Sequence, residues 1–444
     1  MVGAGIAGLG AAWRLVRKGF AVRVVDRADR VGGRVAAEID EGTVLEAVPQ
    51  VLCAQDRRLL AWIGAVGLRD ELLPLRPLAT AVSCKGALRD IEVARFTDVR
   101  RIPGVRWWEA LRLVRLPRLL ARYRSALDPA APERAGRFDD RSVADFCRLY
   151  FGGSVLEHWL APRLLSESLG DVRETSRVLM LHELLARGFA RLGVPRAPLS
   201  EVALRVASGL PVSLGVEALE LAKADGNRLR LETTAGALEA DAMVIAVPAP
   251  EALRIAAPLL RTAERDALGS VTYAPGVTVA ALMRRPLRPR PTLVRVPPSE
   301  GSPLACALIE PGLAAGRVAE GRSLLSLRAA PDFAAAYFDA PPEAIEKELL
   351  AAFERVWPGS QRGVERVRTL RVRYAAPRFE VGHYRVIERW ERLQRDARAE
   401  GRRLYFAGDY LTHPSFEGAL HSAERAADAT REDLGQESAP RQSR

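Results

Sequence analysis

The chain has 444 residues, 48% apolar and 27% charged, the balance of a soluble globular protein with room for two or three domains that each bury a core. No apolar run approaches the roughly 20 residues that span a bilayer, and no signal peptide precedes the first motif, which points to the cytoplasm. The net charge is +11, but only Lys18, Lys85, Lys223 and Lys347 are lysines, so 62 of the 66 basic residues are arginines scattered along the chain. That scatter argues against a nucleic-acid-binding stripe and leaves anionic substrates or acidic lipid head groups as partners.

Cys53, Cys84, Cys147 and Cys306 form no C-x-x-C pair and fit reduced, buried thiols. His158, His182, His383, His413 and His421 have no metal-ligand spacing, and no metal site is predicted.

In chain order, Gly3-Ala4-Gly5-Ile6-Ala7-Gly8 is a glycine fingerprint, followed by the apolar helix face Leu9, Ala12, Leu15 and Val16. The strand Ala21 to Val25 then delivers Asp26, 18 positions beyond Gly8 and close to the roughly 20 expected for a ribose-binding carboxylate. Gly3 permits the tight turn, Gly5 removes a side chain from the path of a phosphate, and Gly8 lets helix and strand pack. Helix amides and dipole favour the pyrophosphate charge there, with Ile6 and Ala7 in the same loop and Arg27 beside Asp26 as further candidate contacts. Asp26 opposes a 2′-phosphate, which makes the nucleotide an unphosphorylated adenosine.

A second glycine pair, Arg30-Val31-Gly32-Gly33-Arg34, follows. A nicotinamide site does not need it. A longer flavin adenine dinucleotide (FAD) does, and Arg34 supplies a charged planar fork suited to its pyrophosphate and ribityl chain.

A helix is predicted from Arg57 to Val66. Residues 76–195 read as mostly helical, with apolar residues at three and four spacing in 108–123, 143–150, 155–165 and 178–189. Beyond 196 the period becomes two, with a hairpin around Asp225-Gly226-Asn227 and then an apolar, buried parallel strand from Ala242 to Val247. Strands at 277–283 and 323–328 and a helix at 342–356 follow. The strand Arg403 to Phe406 ends in Gly408-Asp409, and a helix of small residues begins near Gly418.

The glycine motifs, together with Leu404-Tyr405-Phe406-Ala407-Gly408-Asp409 and Phe416-Glu417-Gly418-Ala419-Leu420-His421-Ser422, resemble the flavin-containing amine oxidase superfamily, which includes protoporphyrinogen oxidases and isoprenoid desaturases. Ser142 to Phe146 and Ala375 to Tyr384 look most like the protoporphyrinogen oxidase branch. The patterning and the resemblance together imply an α/β fold: a discontinuous Rossmann-like FAD-binding domain (1–75, 196–252 and 398–434), a helical subdomain (76–195) inserted into it and a mixed-sheet substrate domain (253–397); the polar composition of 435–444 predicts a disordered tail.

By the same resemblance, Gly408 and Asp409 lie near the ribityl and pyrophosphate, Val216 near the adenine, and Gly418, Ala419 and Leu420 at a helix start beneath the isoalloxazine. Ala37, Ala47 and Ala423 depart from the family pattern. Pro275 to Val279 contains no lysine where amine oxidases place one near the flavin, and no cysteine motif for covalent attachment is present. The implied protein is a non-covalent FAD oxidoreductase that removes hydride equivalents from a large, partly apolar or anionic substrate; no catalytic residue is named. An isoprenoid or lipid desaturase, an amine oxidase and a non-redox nucleotide-binding carrier are the alternatives.

Residues 105–123, basic and amphipathic with two tryptophans, suit either packing or peripheral contact with the inner face of a membrane. The strand before Gly3 should be central in its sheet, yet only Met1 and Val2 precede it, so the true start is expected upstream of Met1.

Overall fold

The computed structural model describes residues 1–312 and 316–437. Around the first glycine loop the backbone forms a parallel sheet in the spatial order 212–213, 24–25, Val2, 243–245, 404–406. Val2 is central, bridging Val25 on one side and Ile245 on the other; Gly3 N donates to Val25 O at 2.8 Å and Ala246 N to Val2 O at 2.7 Å. This all-parallel core needs both faces covered. The helices Ile6–Val16 and Phe416–Glu437 pack against each other on one face, where Gly10 leaves room for Leu420.

The expected hairpin forms from Ala218–Lys223 and Leu229–Thr233, and Met243–Ile245 is buried and parallel to Leu404–Phe406. Residues 435–437 of the expected disordered tail belong to the last helix, which runs through Glu437, and residues 438–444 lie outside the described residues.

A seven-stranded mixed sheet forms the second layer, in the order 364–377, 273–283, 323–329, 304–311, 292–295, 79–84, 87–90. Its last two strands correct the helical reading from residue 76. Ala79–Cys84 pairs in parallel with Thr292–Arg295 and turns back into Ala87–Asp90. The partner strand is more than 200 residues away, so local periodicity carries no trace of it. One face of this sheet packs on the helix Pro342–Val356 through Ile345, Leu349 and Phe353.

Helices fill residues 107–187 as expected, but Leu192–Val194, read as part of the helical region, is a strand paired with Leu52–Cys53 and Arg76–Pro77. Val143–Tyr150 starts at Ser142, whose Oγ accepts from Asp145 N at 3.1 Å, and Arg177–Arg187 starts at Ser176, which caps Val178 N; such caps contribute ~1 kcal/mol each. Their core, around Phe146, Phe151, Trp159 and Leu181, also takes in Phe379, Tyr384 and Ile387. Asp139 fixes that join, accepting from Ser176 Oγ at 2.5 Å and Tyr384 N at 2.7 Å. The 108–123 stretch is built as Trp107–Leu111, a 3-10 turn at Arg112–Arg115, and Leu116–Tyr123; Pro117 sits in the first turn of the last piece, where its missing N–H costs nothing.

Candidate functional site

The two glycine loops meet. Gly5 and Gly32 form a parallel bridge, and Gly32 N donates to Ala4 O at 2.8 Å. They form one wall of a cleft of about 310 Å³ at the C-terminal ends of the parallel strands, the usual position for a ligand in such sheets. A side chain at Gly3 (φ +103°) would put its Cβ 2.5 Å from Ala246 O. At Gly5 a Cβ would meet nothing within 4 Å, so the space in front of the helix amides is open to a phosphate. Gly8 works behind the loop, with a Cβ there lying 1.9 Å from Gly3 O.

Asp26 lines the cleft, its Oδ2 accepting from Ala4 N at 2.6 Å and its Oδ1 from Ala28 N at 2.8 Å. Those bonds fix the carboxylate and leave each oxygen a second lone pair. Arg27 sits at the rim, 3.3 Å from Glu251, and Val216 lines the cleft while its amide donates to Asp26 O.

At the opposite end, Arg34 Nη1 and Nη2 each donate to Asp409 at 2.7 Å, and Nη1 also reaches Ala375 O at 3.3 Å. Burial acts to lower the Arg34 pKa, but the charge and hydrogen bonds of Asp409 outweigh it and hold the guanidinium above its usual value. The fork expected to face the cofactor is therefore itself held by a carboxylate from the other end of the chain. Gly408 N donates to Ser422 Oγ at 3.0 Å, tying that carboxylate's loop to the last helix.

Of the residues singled out in the sequence, Gly3, Gly5, Ile6, Ala7, Asp26, Arg27, Gly32, Gly33, Arg34, Val216, Gly408, Asp409 and Ala419 line this one cleft. Gly8, Gly418 and Leu420 do not. Gly418 lets the chain turn over His413 O, 2.1 Å from where its Cβ would lie, and Leu420 is buried against the first helix. The cleft also includes Glu251 and Arg254 from the helix after Pro248, Arg373 and Tyr374 from the large sheet, and Tyr410 and Phe416. For Glu251 and Arg254 the sequence signal was the apolar strand that precedes Pro248.

A second group joins segments that sequence spacing keeps apart. His413 Nε2 lies 2.9 Å from Glu183, the rings of His182 and His413 are 4.5 Å apart, and Arg187 pairs with Asp56 at 2.5 Å. Burial drives His182 down to about 3, so it is neutral, whereas the neighbouring positive charges hold Glu183 well below the carboxylate range against the opposing effect of burial. Next to it, Glu417 accepts from Arg58 N and Leu59 N at 2.9 and 2.8 Å and caps the helix Arg57–Ala65.

The family profile described as "Flavin containing amine oxidoreductase" matches residues 6–430. The chain belongs to that family of flavin-containing amine oxidoreductases. Among solved structures, a protein from Exiguobacterium sp. 255-15 provisionally assigned as a protoporphyrinogen oxidase superposes with a TM-score of 0.74 at 19% identity, covering 98% of each chain. Cyclohexylamine oxidase from Brevibacterium oxydans IH-35A superposes with a TM-score of 0.75 at 17% identity, again over 98% of each chain. These likenesses establish the fold. Among curated proteins, coproporphyrinogen III oxidase of Propionibacterium freudenreichii subsp. freudenreichii is 26% identical over 163 residues, which is 36% of this chain and 30% of the relative. Phytoene desaturase (neurosporene-forming) of Rhodobacter capsulatus is 37% identical over 83 residues, 18% of this chain and 16% of the relative. The chain thus spans a third or less of the length of these curated relatives.

Proposed function

We propose that the protein binds FAD non-covalently and removes hydride equivalents from carbon in a large, partly apolar substrate, in the manner of a protoporphyrinogen oxidase. The observation that carries this reading is the contact between the cleft and the layer packed on the large sheet. Arg34 touches both Asp409 in the cleft and the carbonyl of Ala375, and Ala375 belongs to an apolar cluster with Leu165, Leu169, Ala274, Ala305 and Ala376 between the large sheet and the helices.

Bound FAD would accept the hydride. The helix amides at Gly5 and the fixed carboxylate of Asp26 would hold the two ends of its adenosine diphosphate, Arg34 and Asp409 would orient the ribityl side, and the apolar cluster would exclude water from the reacting carbon. No cysteine lines the cleft, in keeping with non-covalent attachment. An amine substrate is disfavoured by the segment Pro275 to Val279, which contains no lysine. A lipid or isoprenoid desaturase is the alternative reading, supported by the phytoene-acting relative.

The test is anaerobic reduction of the reconstituted protein with a porphyrinogen, a carotenoid precursor and an alkylamine in parallel. Porphyrinogen is expected to bleach the flavin band fastest; bleaching by the amine alone would overturn the ordering, and failure to retain any flavin would falsify the flavoenzyme reading.

We further propose a cytoplasmic protein that touches the membrane's inner face through residues 105–123. Among the described residues no helix is long and apolar enough to cross a membrane. In this stretch Glu109, Ala110, Leu113 and Leu116 are buried, while Trp107, Trp108, Leu111 and Val114 form an outward face with exposures of 49 to 64%. Arg106, Arg112, Arg115 and Arg118 around it are also exposed. That is the pattern of an interfacial segment, apolar face down and cations toward anionic head groups. Co-sedimentation with phosphatidylglycerol-containing vesicles should fall several-fold in Trp107→Glu/Leu111→Glu and at high salt. Equal sedimentation of variant and parent would discard the contact.

A further inference from the structure

Away from the cleft, a second cavity of about 260 Å³ opens where three helices converge, Ile6–Val16, Arg57–Ala65 and Phe416–Glu437. It shares no lining residue with the cofactor cleft. Each helix turns one face to it at three and four spacing, as in Gly10, Trp13 and Arg14 on the first and Ala61, Trp62 and Ala65 on the second. The space exists because small residues stand where packed helices ordinarily interdigitate larger ones. Gly10 cannot fill it, since a Cβ there would lie 2.9 Å from the Leu420 side chain. Ala61 and Ala65 are exposed, so the cavity opens to solvent along the helix Arg57–Ala65, and two indoles, Trp13 and Trp62, form its aromatic walls.

Its rim is charged and does not balance. Arg14 donates to both oxygens of Asp428 at 3.1 and 2.9 Å, and Glu424 serves Arg58 at 2.8 Å and Arg14 at 3.8 Å. Two carboxylates thus meet two guanidiniums. Arg57, which also lines the cavity, is left over: it is exposed and enters no ion pair among the described residues. It stands at the first position of its helix, the end whose free amides favour an anion and disfavour a cation. A negative group in the cavity would answer both.

Trp62 carries a second unmet demand. Its side chain is 6% exposed, yet the indole N–H has no acceptor among the described residues, whereas most buried donors have one. An occupant bearing oxygen would supply it.

We infer that this cavity is a second ligand site, built for a small planar acid whose ring lies against Trp13 and Trp62 and whose carboxylate meets Arg57 at the rim. The volume falls just below that of pockets for drug-sized ligands, which suits a compact bicyclic ring, and the guanidinium fork suits a carboxylate. The site is separate from the chemistry proposed above and does not rest on it.

The full chain, supplied with FAD, is titrated in a calorimeter with 2-naphthoate and with 2-naphthamide, which has the same rings and no charge. The parent is expected to bind the acid saturably below about 1 mM, within reach of a ligand of this size. At low salt it should prefer the acid by about fivefold, the upper end for an exposed ion pair, and high salt should erode the preference. Arg57→Gln should bring the acid down to the amide and leave the amide unchanged, while Arg57→Lys keeps part of the difference. Ala61→Phe fills the cavity from an exposed position and should abolish binding of both compounds with the Tm and flavin content of the parent; Ala65→Phe serves the same purpose should the first variant fold poorly. The inference is overturned if neither compound binds the parent below about 1 mM, if the amide binds as tightly as the acid, if Arg57→Gln retains the preference, or if binding survives the filling substitution. Because the readout is binding alone, a parent without a flavin band would count against the flavoenzyme reading and leave this result standing.

Discussion

Replacing Gly8 by alanine is expected to strip the protein of its cofactor and to lower its stability by ~3 kcal/mol, the upper part of the range for an overpacked core position. The added Cβ would sit 1.9 Å from the carbonyl oxygen of Gly3 and 3.0 Å from its carbon, both backbone atoms. That carbonyl cannot retreat. Gly3 N is bonded to Val25 O, Val2 N to Val244 O, and a Cβ on Gly3 itself would already collide with Ala246 O. The strain must therefore move the helix Ile6–Val16 away from the strand and take the open amides at Gly5 with it. Thermal unfolding and flavin content of purified Gly8→Ala measure the two effects together. Gly5→Ala is the control, since nothing lies within 4 Å of its Cβ: it should fold like the parent yet bind FAD more weakly. Equal Tm and equal flavin in Gly8→Ala and the parent would refute the packing role.

The second large effect belongs to Asp409→Ala. Asp409 is buried, and the Arg34 side chain is about a quarter exposed on the cleft side. Removing the carboxylate leaves a guanidinium whose remaining contact is the 3.3 Å bond to Ala375 O. Breaking a buried pair from one side costs about 3 to 5 kcal/mol, and the partial exposure of Arg34 puts the expected loss at the lower end. The double variant Arg34→Met/Asp409→Leu should recover most of that stability, because two apolar groups of similar volume replace two desolvated charges. It should not recover the flavin. Denaturant unfolding gives the stabilities and the flavin band gives the binding. A double variant as unstable as the single would show that the pair contributes through packing and not through charge.

These two sites differ in how far they could be read from the chain. Gly8 belongs to a local pattern: its spacing from Gly3 and the 18 residues to Asp26 are fixed by one turn, one helix and one strand, so the motif encodes its own geometry. The same holds for the hairpin at 225–227 and the capped helices, whose determinants lie within a few residues. Arg34 and Asp409 each stood out as candidate cofactor contacts, but their mutual pairing did not, since 375 positions separate them. Ala79–Cys84 was missed because a strand inside a sheet takes its identity from a distant neighbour, in this instance Thr292–Arg295.

The clamp between Arg34 and Asp409 also bears on how the protein matures. The glycine loops are synthesised long before Asp409 and meet each other locally, Gly5 with Gly32, but their counterpart arrives only when residue 409 has been made. Joining ends so far apart costs chain entropy that nothing local repays. A nascent chain thus carries half a cradle until residue 409 has been made, and a ligand held by both halves would be captured late in folding. A ligand that binds only the closed form would hold the two segments together by mass action, so a cofactor seated in this cleft would act as a late fastener between distant parts of the chain.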